Sequence, residues 1–526
     1  MKPTRRDVLR AGLVGGATAA LAKTAVGGPS DAHAALPAAP FTLGVASGDP
    51  WPDGFVLWTR LARRPLAEDG RGGMPARAVS VRWQVAEDPW FRRVVRRGTA
   101  TARPESAHAV HVEVTGLRPG REYWYRFRAG GQLSPVGRAL SAPAPGAMPS
   151  ALTLAVASCS QFEHGWFTNY RHIAADDPDL VLHLGDYLYE YTADTYEAPE
   201  GNVRDHRGPE TTTLAAYRQR HAQYKSDPDL QVAHAAAPWL VVWDDHELDD
   251  NWADETPERP GAHFLRRRAA AFQAYYENMP LRRTSVPQAV GTRLYRRESW
   301  GRLANLYMLD TRRYRDDQAC GDGYAVNCAP AAHPSRSITG AEQEQWLLDG
   351  FRDSSARWDV LGQQVFFAQR DATAGPVERT LMDAWDGYVA SRDRITRGWV
   401  EAGVRNLVVL TGDVHEHWAA DLKLDYDDPE ARTVGSELVC SSITSGGDGA
   451  DAPAQSHPWM AHNPHLRFYN NLRGYVRTTV TPEHVRADFR CVDMVSRPGA
   501  EAFTRATFVV HDREPGLHQT YDRGAA

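Results

Sequence analysis

The chain contains no run of 18 or more apolar residues, which excludes a transmembrane helix; the longest small-residue stretch, Ala11 to Ala22, is too short to span a bilayer. It contains no GxSxG, no GxxxxGK[ST] and no GxGxxG after a strand-like run. A hydrolase elbow, a nucleotide-binding P-loop and a dinucleotide fold therefore all lack their anchor. Net positive charge is missing too: 60 Lys and Arg stand against 66 Asp and Glu, for a formal charge of −6. Residues 1 to 34 hold five of the bases against Asp7 and Asp31, so the remainder stands near −9 and does not read as a general nucleic-acid binder. Lysine is nearly absent, with Lys2, Lys23, Lys225 and Lys423 alone.

Cysteine is scarce and odd in number, at five. Cys320 and Cys328 bracket CGDGYAVNC and could close a short disulfide across it; Cys440 and Cys491 could pair or remain buried thiols. Cys159 is left over, between two serines at the end of an apolar run, where a thiolate metal ligand is the favoured reading over a buried structural thiol.

The first 35 residues read as an address. Thr4-Arg5-Arg6-Asp7-Val8-Leu9-Arg10 precedes the small apolar stretch, and Ala32-His33-Ala34 offers a small-x-small cleavage site, the pattern of a twin-arginine signal peptide. This predicts export in folded form through the twin-arginine machinery, a secreted or periplasmic location, no stable membrane insertion and a monomer. Residues 36–146 alternate polar and apolar residues in FVLWTRL, AVSVRWQVAE, HAVHVEVTGL and REYWYRFRAG, with turns between, as a small fibronectin type III-like β-sandwich does. SAPAPGAMPS (141 to 150) is a linker, and residues 147–526 alternate strands with helices, which means a layered α/β domain. Helices are expected over 212–225, 263–278, 340–354 and 391–402, with Thr339 as an N-cap and Glu342 closing a capping box.

The stretch that organises this second part is PDLVLHLGDYLYEY (178 to 191), a buried strand that delivers Asp186 to its carboxyl end. Similar runs begin at residues 151, 238, 305 and 406. Their polar tips offer Cys159, then Asp186 with Tyr189, then Asp244, Asp245 and His246, then Asp413 with His415. One such tip reads as a cap or turn. Repeated tips read as a convergent metal site, because a sheet brings its carboxyl ends to one edge.

The motifs GVASGDPWPDGFVLWTRL (44 to 61), ASCSQFEHGWFTNY (157 to 170), HLGDYLYEY (183 to 191), WDDHELDDNW (243 to 252), LDTRRYR (309 to 315), TGDVHEHW (411 to 418) and SSITSGG (441 to 447) resemble, in order, those of the PhoD-like alkaline phosphatases and related secreted phospholipase D enzymes. That resemblance implies a four-layered α/β/β/α metallophosphoesterase sandwich after the small β domain. It also implies a centre of Fe(III) and Ca(II) acting on phosphate esters through an activated hydroxide. Carried over residue by residue, Cys159, Asp186, Tyr189 and Asp413 would hold iron. Asp186 would bridge to calcium, with Asp245, Asn251 and His415 completing the calcium side and Asp244 less secure. His246 would stand beside the phosphoryl group as the catalytic histidine. Arg312 is open between a phosphate contact and a structural salt bridge, and His164, Glu416 and His417 between supporting and solvated roles. Monoester, diester and phospholipid head-group substrates remain open, set by loops 192–210 and 315–336. The reading from another class is a non-catalytic surface- or sugar-binding protein.

Overall fold

The computed structural model describes residues 39–524 apart from 262, 289, 290, 429 and 454, so the segment expected to be a twin-arginine signal lies outside the described residues. Short apolar runs, buried on both faces, pair in parallel: Leu180–His183 lies between Leu152–Ala157 and Pro238–Val241, with Leu182 opposite Val156 and Leu240. They centre a ten-stranded sheet whose order is Glu514–Asp522, Phe503–His511, His484–Cys491, Gly474–Val480, Leu152–Ala157, Leu180–His183, Pro238–Val241, Val45–Trp51, Gly54–Arg60, Ala109–Val114. A second sheet of eight strands carries Ala304–Met308, Trp358–Gln363, Leu407–Thr411 and Thr433–Val439 as its parallel middle.

Alternation along each strand builds the layers. Leu154, Val156, Leu182 and Leu240 face Leu306, Met308, Val360 and Leu410 in one core between the sheets. Ala155, Val181, Trp239 and Val241 point the other way, under helices Thr168–Ala175, Leu214–Lys225 and Phe264–Asn278. Tyr307, Leu361 and Val409 pack under Gly340–Arg352 and Val389–Glu401. The order is helix, sheet, sheet, helix.

The amino-terminal β-sandwich is present and shares a layer with the α/β part of the chain. Val45–Trp51, Gly54–Arg60 and Ala109–Val114 extend the ten-stranded sheet through the parallel pair Ser47 and Pro238. Val79–Ala86, Val94–Ala102, Glu122–Ala129, Gln132–Leu133 and Gly137–Leu140 form the facing sheet. Phe55, Leu57, Val81, Val85, Tyr125 and Phe127 fill the space between them.

The expected helices form within a few residues of their expected ends, but the capping box does not. Thr339 occupies the N-cap in helical geometry with no side-chain capping bond, and Glu342 accepts the Tyr295 hydroxyl at 3.0 Å instead. Two shorter helices, Thr168–Ala175 and Pro228–Ala236, were not expected. Cys320 and Cys328 are bonded with Cα atoms 6.4 Å apart, whereas Cys440 and Cys491 are separate buried thiols. Among the described residues no helix is long and apolar enough to cross a membrane.

Burial lowers several histidines, His183 to about 3 and His465 to about 4. The folded state keeps them neutral while the unfolded chain protonates them near 6.5. Their contribution is complete above about pH 6.5 and is lost as pH falls towards the folded values, by up to about 1.4 kcal/mol per pH unit and group. His465→Gln keeps a donor for the Gln369 carbonyl, 2.7 Å from His465 Nε2, while removing the titration. Urea unfolding between pH 6.5 and 4 is expected to show a pH slope shallower by about one proton in this variant; an unchanged slope would contradict a neutral buried His465.

Candidate active site

Each strand tip turns sharply to aim a ligand-type side chain. Cys159, Asp186, Asn251, Asp413 and His415 all adopt left-handed φ, between 47° and 63°. Such strain in non-glycine residues persists only where surroundings over-determine it, and it gathers at functional sites. The surroundings are visible here. Cys159 N–H donates to the Gly185 carbonyl at 3.1 Å and Ser160 N–H to the Asp186 carbonyl at 2.8 Å, tying two tips together. Glu247, fully enclosed, accepts the backbone N–H groups of Asp186 (3.0 Å), Tyr187 (2.6 Å) and Asp244 (2.8 Å). Gly185 has φ +111°, and a Cβ there would lie 2.3 Å from the Asp244 Cβ, so only glycine lets the two tips approach.

The tips converge from two sheets, not from one sheet edge. Cys159, Asp186 and the Asp244–His246 segment come from the ten-stranded sheet, Arg312 and Asp413 from the eight-stranded one. Ligand-type atoms fall within 4.8 Å of one another in three overlapping groups: Cys159, Asp186 and His415; Asp186, Asp245 and His246; Asp244, Asp245 and Asp413. Tyr189 joins the first group, its hydroxyl 3.0 Å from Asp186 Oδ2 and 3.0 Å from His415 Nε2 while accepting from Ser445 Oγ at 2.7 Å. Asp186 and Asp245 are the shared members. Asp413 thus lies with Asp244 and Asp245, and His415 with Cys159. Asn251 contacts Asp245 through its backbone N–H at 2.8 Å, while its side chain faces Asp322 at 3.4 Å.

Burial dominates the electrostatics. It pushes the carboxyls of Asp186 and Asp244 well up, and Asp413 up to about 7. It likewise raises the Cys159 thiol and the Tyr189 phenol, each with Asp186 adding to the effect. Burial opposes the charge on Asp245 as well, but Arg312 and His246 outweigh it and hold that carboxyl low. His246 is held protonated against its burial by Asp245 and Glu190, the latter 2.9 Å from its Nδ1, and its ring stacks on Tyr189 at 4.1 Å. Burial drops His415 to about 3, leaving a neutral imidazole suited to a ligand.

Arg312 is fully buried among acids: Nε donates to Asp244, Nη1 to both oxygens of Asp383 at 2.8 and 2.9 Å, and Nη2 to Asp413 at 3.3 Å. No donor of its fork is turned to solvent, which corrects the phosphate-contact reading of this residue. Sequence reasoning missed Glu190, Glu247, Asp383 and Ser445. The first two lie within HLGDYLYEY and WDDHELDDNW, and Ser445 within SSITSGG; nothing in the sequence around Asp383 points to it. His164 accepts Gly446 N–H at 2.9 Å, and His417 accepts Ser441 N–H at 3.0 Å.

One cation of the protein's own does not satisfy this cluster. Asp186 Oδ1, Asp244 Oδ2 and Asp245 Oδ1 are buried without a hydrogen-bond partner. Orphaned buried oxygens of this kind are what a bound metal would satisfy, so the residues present fit metal ions. The Glu247 clamp gives a direct test. Glu247→Ala would strand three buried N–H groups, and at about 1–3 kcal/mol each urea unfolding is expected to show a loss of at least about 3 kcal/mol. Metal content measured on the same variant should fall, because the Asp186 and Asp244 tips lose their anchor. A variant that is stable and fully metallated would show that the clamp is dispensable.

Comparison with known proteins accords with this geometry. Residues 154–489 match the PhoD-like phosphatase family and residues 27–143 match the PhoD-like phosphatase N-terminal domain. The chain is 50% identical over 484 residues to alkaline phosphatase D of Bacillus subtilis (strain 168), covering 91% of this chain and 82% of that protein. A solved structure described as that of PhoD superposes with a TM-score of 0.91 at 49% identity, covering 93% of this chain and 94% of that one. With this family match, this identity and this superposition extending through both the sandwich and the metal-type cluster, the chain belongs to the PhoD-like phosphatase family.

Proposed function

We propose that this chain, a phosphatase by family, is an exported, metal-dependent phosphoesterase that hydrolyses phosphate mono- or diesters; the name of its relative, alkaline phosphatase D, supports the phosphatase part of this reading. The observation that carries the reading is the trio of orphaned buried carboxylate oxygens on Asp186, Asp244 and Asp245 beside His246, whose Nδ1 lies 2.9 Å from Glu190 Oε2. Acids so crowded cost too much to be a stability device, whereas they suit a site that collects positive charge to receive a phosphate.

Cys159, Asp186, Tyr189 and His415 are assigned to Fe(III), and Asp244, Asp245 and Asp413, with Asp186 shared, to Ca(II). This exchanges Asp413 and His415 relative to the sequence reading, because His415 groups with Cys159 and Tyr189 and Asp413 with Asp244 and Asp245, and it leaves out Asn251, whose side chain faces Asp322. Thiolate, phenolate and carboxylate donors suit the ferric ion, and oxygen donors suit calcium. When bound, the ions would neutralise phosphate oxygens and activate a water. The chain's residues do the rest. His246, charged through Glu190, is placed to give a proton to the leaving oxygen, with Tyr189 stacked on its ring to fix the plane. Arg312 is a positioning residue that holds Asp244 and Asp413 in register.

Residues 1–35 would direct folded export by the twin-arginine machinery to a secreted or periplasmic location. Residues 36–146 and 147–526 would act as amino-terminal and catalytic parts of a monomer that does not insert stably into membranes.

Two measurements test this function. Asp186→Asn keeps the shape and removes the charge of the shared carboxylate. Turnover of p-nitrophenyl phosphate and of its diester is expected to fall by several orders of magnitude with loss of both metals, well beyond the roughly 10- to 100-fold of an outer-shell change. Asp250→Asn, whose Oδ2 meets only the Tyr191 hydroxyl at 3.0 Å, should keep its metals and much of its rate. Folded Asp186→Asn with both ions and normal turnover would refute the site. Separately, metal analysis of the exported protein should return iron and calcium, and calcium chelation should abolish turnover while iron stays bound. Active protein free of iron would overturn the iron assignment.

A further inference from the structure

A second acidic cluster lies outside the catalytic groups and shares no member with them. Carboxylate oxygens of Glu163, Asp194 and Asp205 fall within 4.8 Å of one another. Glu163 follows the Leu152–Ala157 strand and is fully buried, whereas Asp194 and Asp205 are exposed on the two legs of the 192–210 loop. Glu163 Oε1 is used up by that loop, accepting the N–H groups of Asp194 at 3.2 Å and His206 at 3.1 Å. Its carbonyl accepts Val203 N–H at 2.8 Å. Glu163 Oε2, by contrast, is buried with no hydrogen-bond partner. The nitrogen facing it, His206 Nδ1 at 3.2 Å, lies closer to the Tyr191 carbonyl, at 3.0 Å, and Nδ1 has one proton to give.

No arginine forms an ion pair with the three acids among the described residues. Neither Asp194 nor Asp205 has an ion-pair partner among the described residues. Arg204 is directed to Asp227 and to the Phe162 and Gly165 carbonyls, and Arg220 to the Tyr189 and Pro209 carbonyls. Three converging carboxylates, one of them buried with an oxygen outside hydrogen-bond geometry, thus face at most one histidine as a countercharge. We propose that Glu163, Asp194 and Asp205 bind a divalent cation of the calcium type that pins the 192–210 loop to the body of the protein. An all-oxygen set with two members open to solvent leaves room for the waters that complete a calcium shell, and it lacks the sulfur or nitrogen that would draw a softer metal.

The loop matters because it reaches the catalytic centre. The Tyr196 ring lies 6.2 Å from that of Tyr189, and the Tyr196 carbonyl meets His164 Nε2 at 3.0 Å. The cation site is therefore a fastener for a wall of the active site, separate from the ions in it.

The test uses holoenzyme carrying Asp194→Asn and Asp205→Asn together, with Glu197→Gln as a loop control outside the cluster. Equilibrium dialysis against calcium, with iron measured alongside, is expected to show one calcium fewer per chain in the double variant at unchanged iron, and no change in the control. Limited trypsin digestion at exposed Arg207 is the second readout. Calcium at about 10 to 100 times its dissociation constant should slow cleavage of the wild-type loop by about 10- to 100-fold and leave the double variant unprotected. Equal calcium content in wild type and double variant, equal protection of the two, or the same loss in the control would overturn the proposal.

Discussion

Everything in the catalytic half is arranged around the cost of holding Asp186, Asp244 and Asp245 together out of water, with the half-buried Asp413 at their edge. Removing one charge from water costs several kcal/mol after relaxation, and like charges at this spacing repel. The fold meets part of that cost with a buried arginine reaching Asp244, Asp245 and Asp413 and with a histidine backed by Glu190. Arg312 is the countercharge that the chain itself supplies. What Arg312 and His246 leave unsatisfied, the orphaned oxygens, marks where external positive charge belongs.

Such crowding needs a rigid frame, and the frame is built from strands too short to flex. Leu180–His183 has four residues, all buried, with pairing on both sides. Left-handed Cys159 and Asp186 come just after these strands, where their backbone N–H groups are bonded to the Gly185 carbonyl and to Glu247. Strain in a loop would relax; strain clamped between buried strands holds ligand atoms in place.

The amino-terminal sandwich is coupled to this frame through the helix Phe264–Asn278. Trp58 Nε1 donates to the Glu277 carbonyl at 2.9 Å, buried Arg60 reaches Asn278 Oδ1 at 3.1 Å, and His111 stacks on Tyr276 at 4.4 Å. The same helix places Phe272 flat against Trp243 at 4.2 Å, immediately before Asp244. The sandwich therefore buttresses the layer from which Asp244 to His246 emerge.

Strand identity, helix position and the residue types at the tips were legible in the sequence, because apolar run length, helical spacing and the abrupt change to acid after glycine are local properties. The short helices escaped because eight or nine residues carry too little periodicity, although Asp227 before Pro228 does cap the second, accepting Asp229 N–H at 2.9 Å. The capping box at Thr339 failed because a partner distant in sequence, Tyr295, took Glu342. Which tips meet was decided only by tertiary structure: two sheets, not one, supply the centre, and Asp383, 71 residues beyond Arg312 and outside every motif, completes its surroundings. Residue type determines what a side chain can donate or accept; how far it lies from its neighbours, and so whether an acid is a solvated turn or one of a crowded set, depends on long-range packing that no local pattern records.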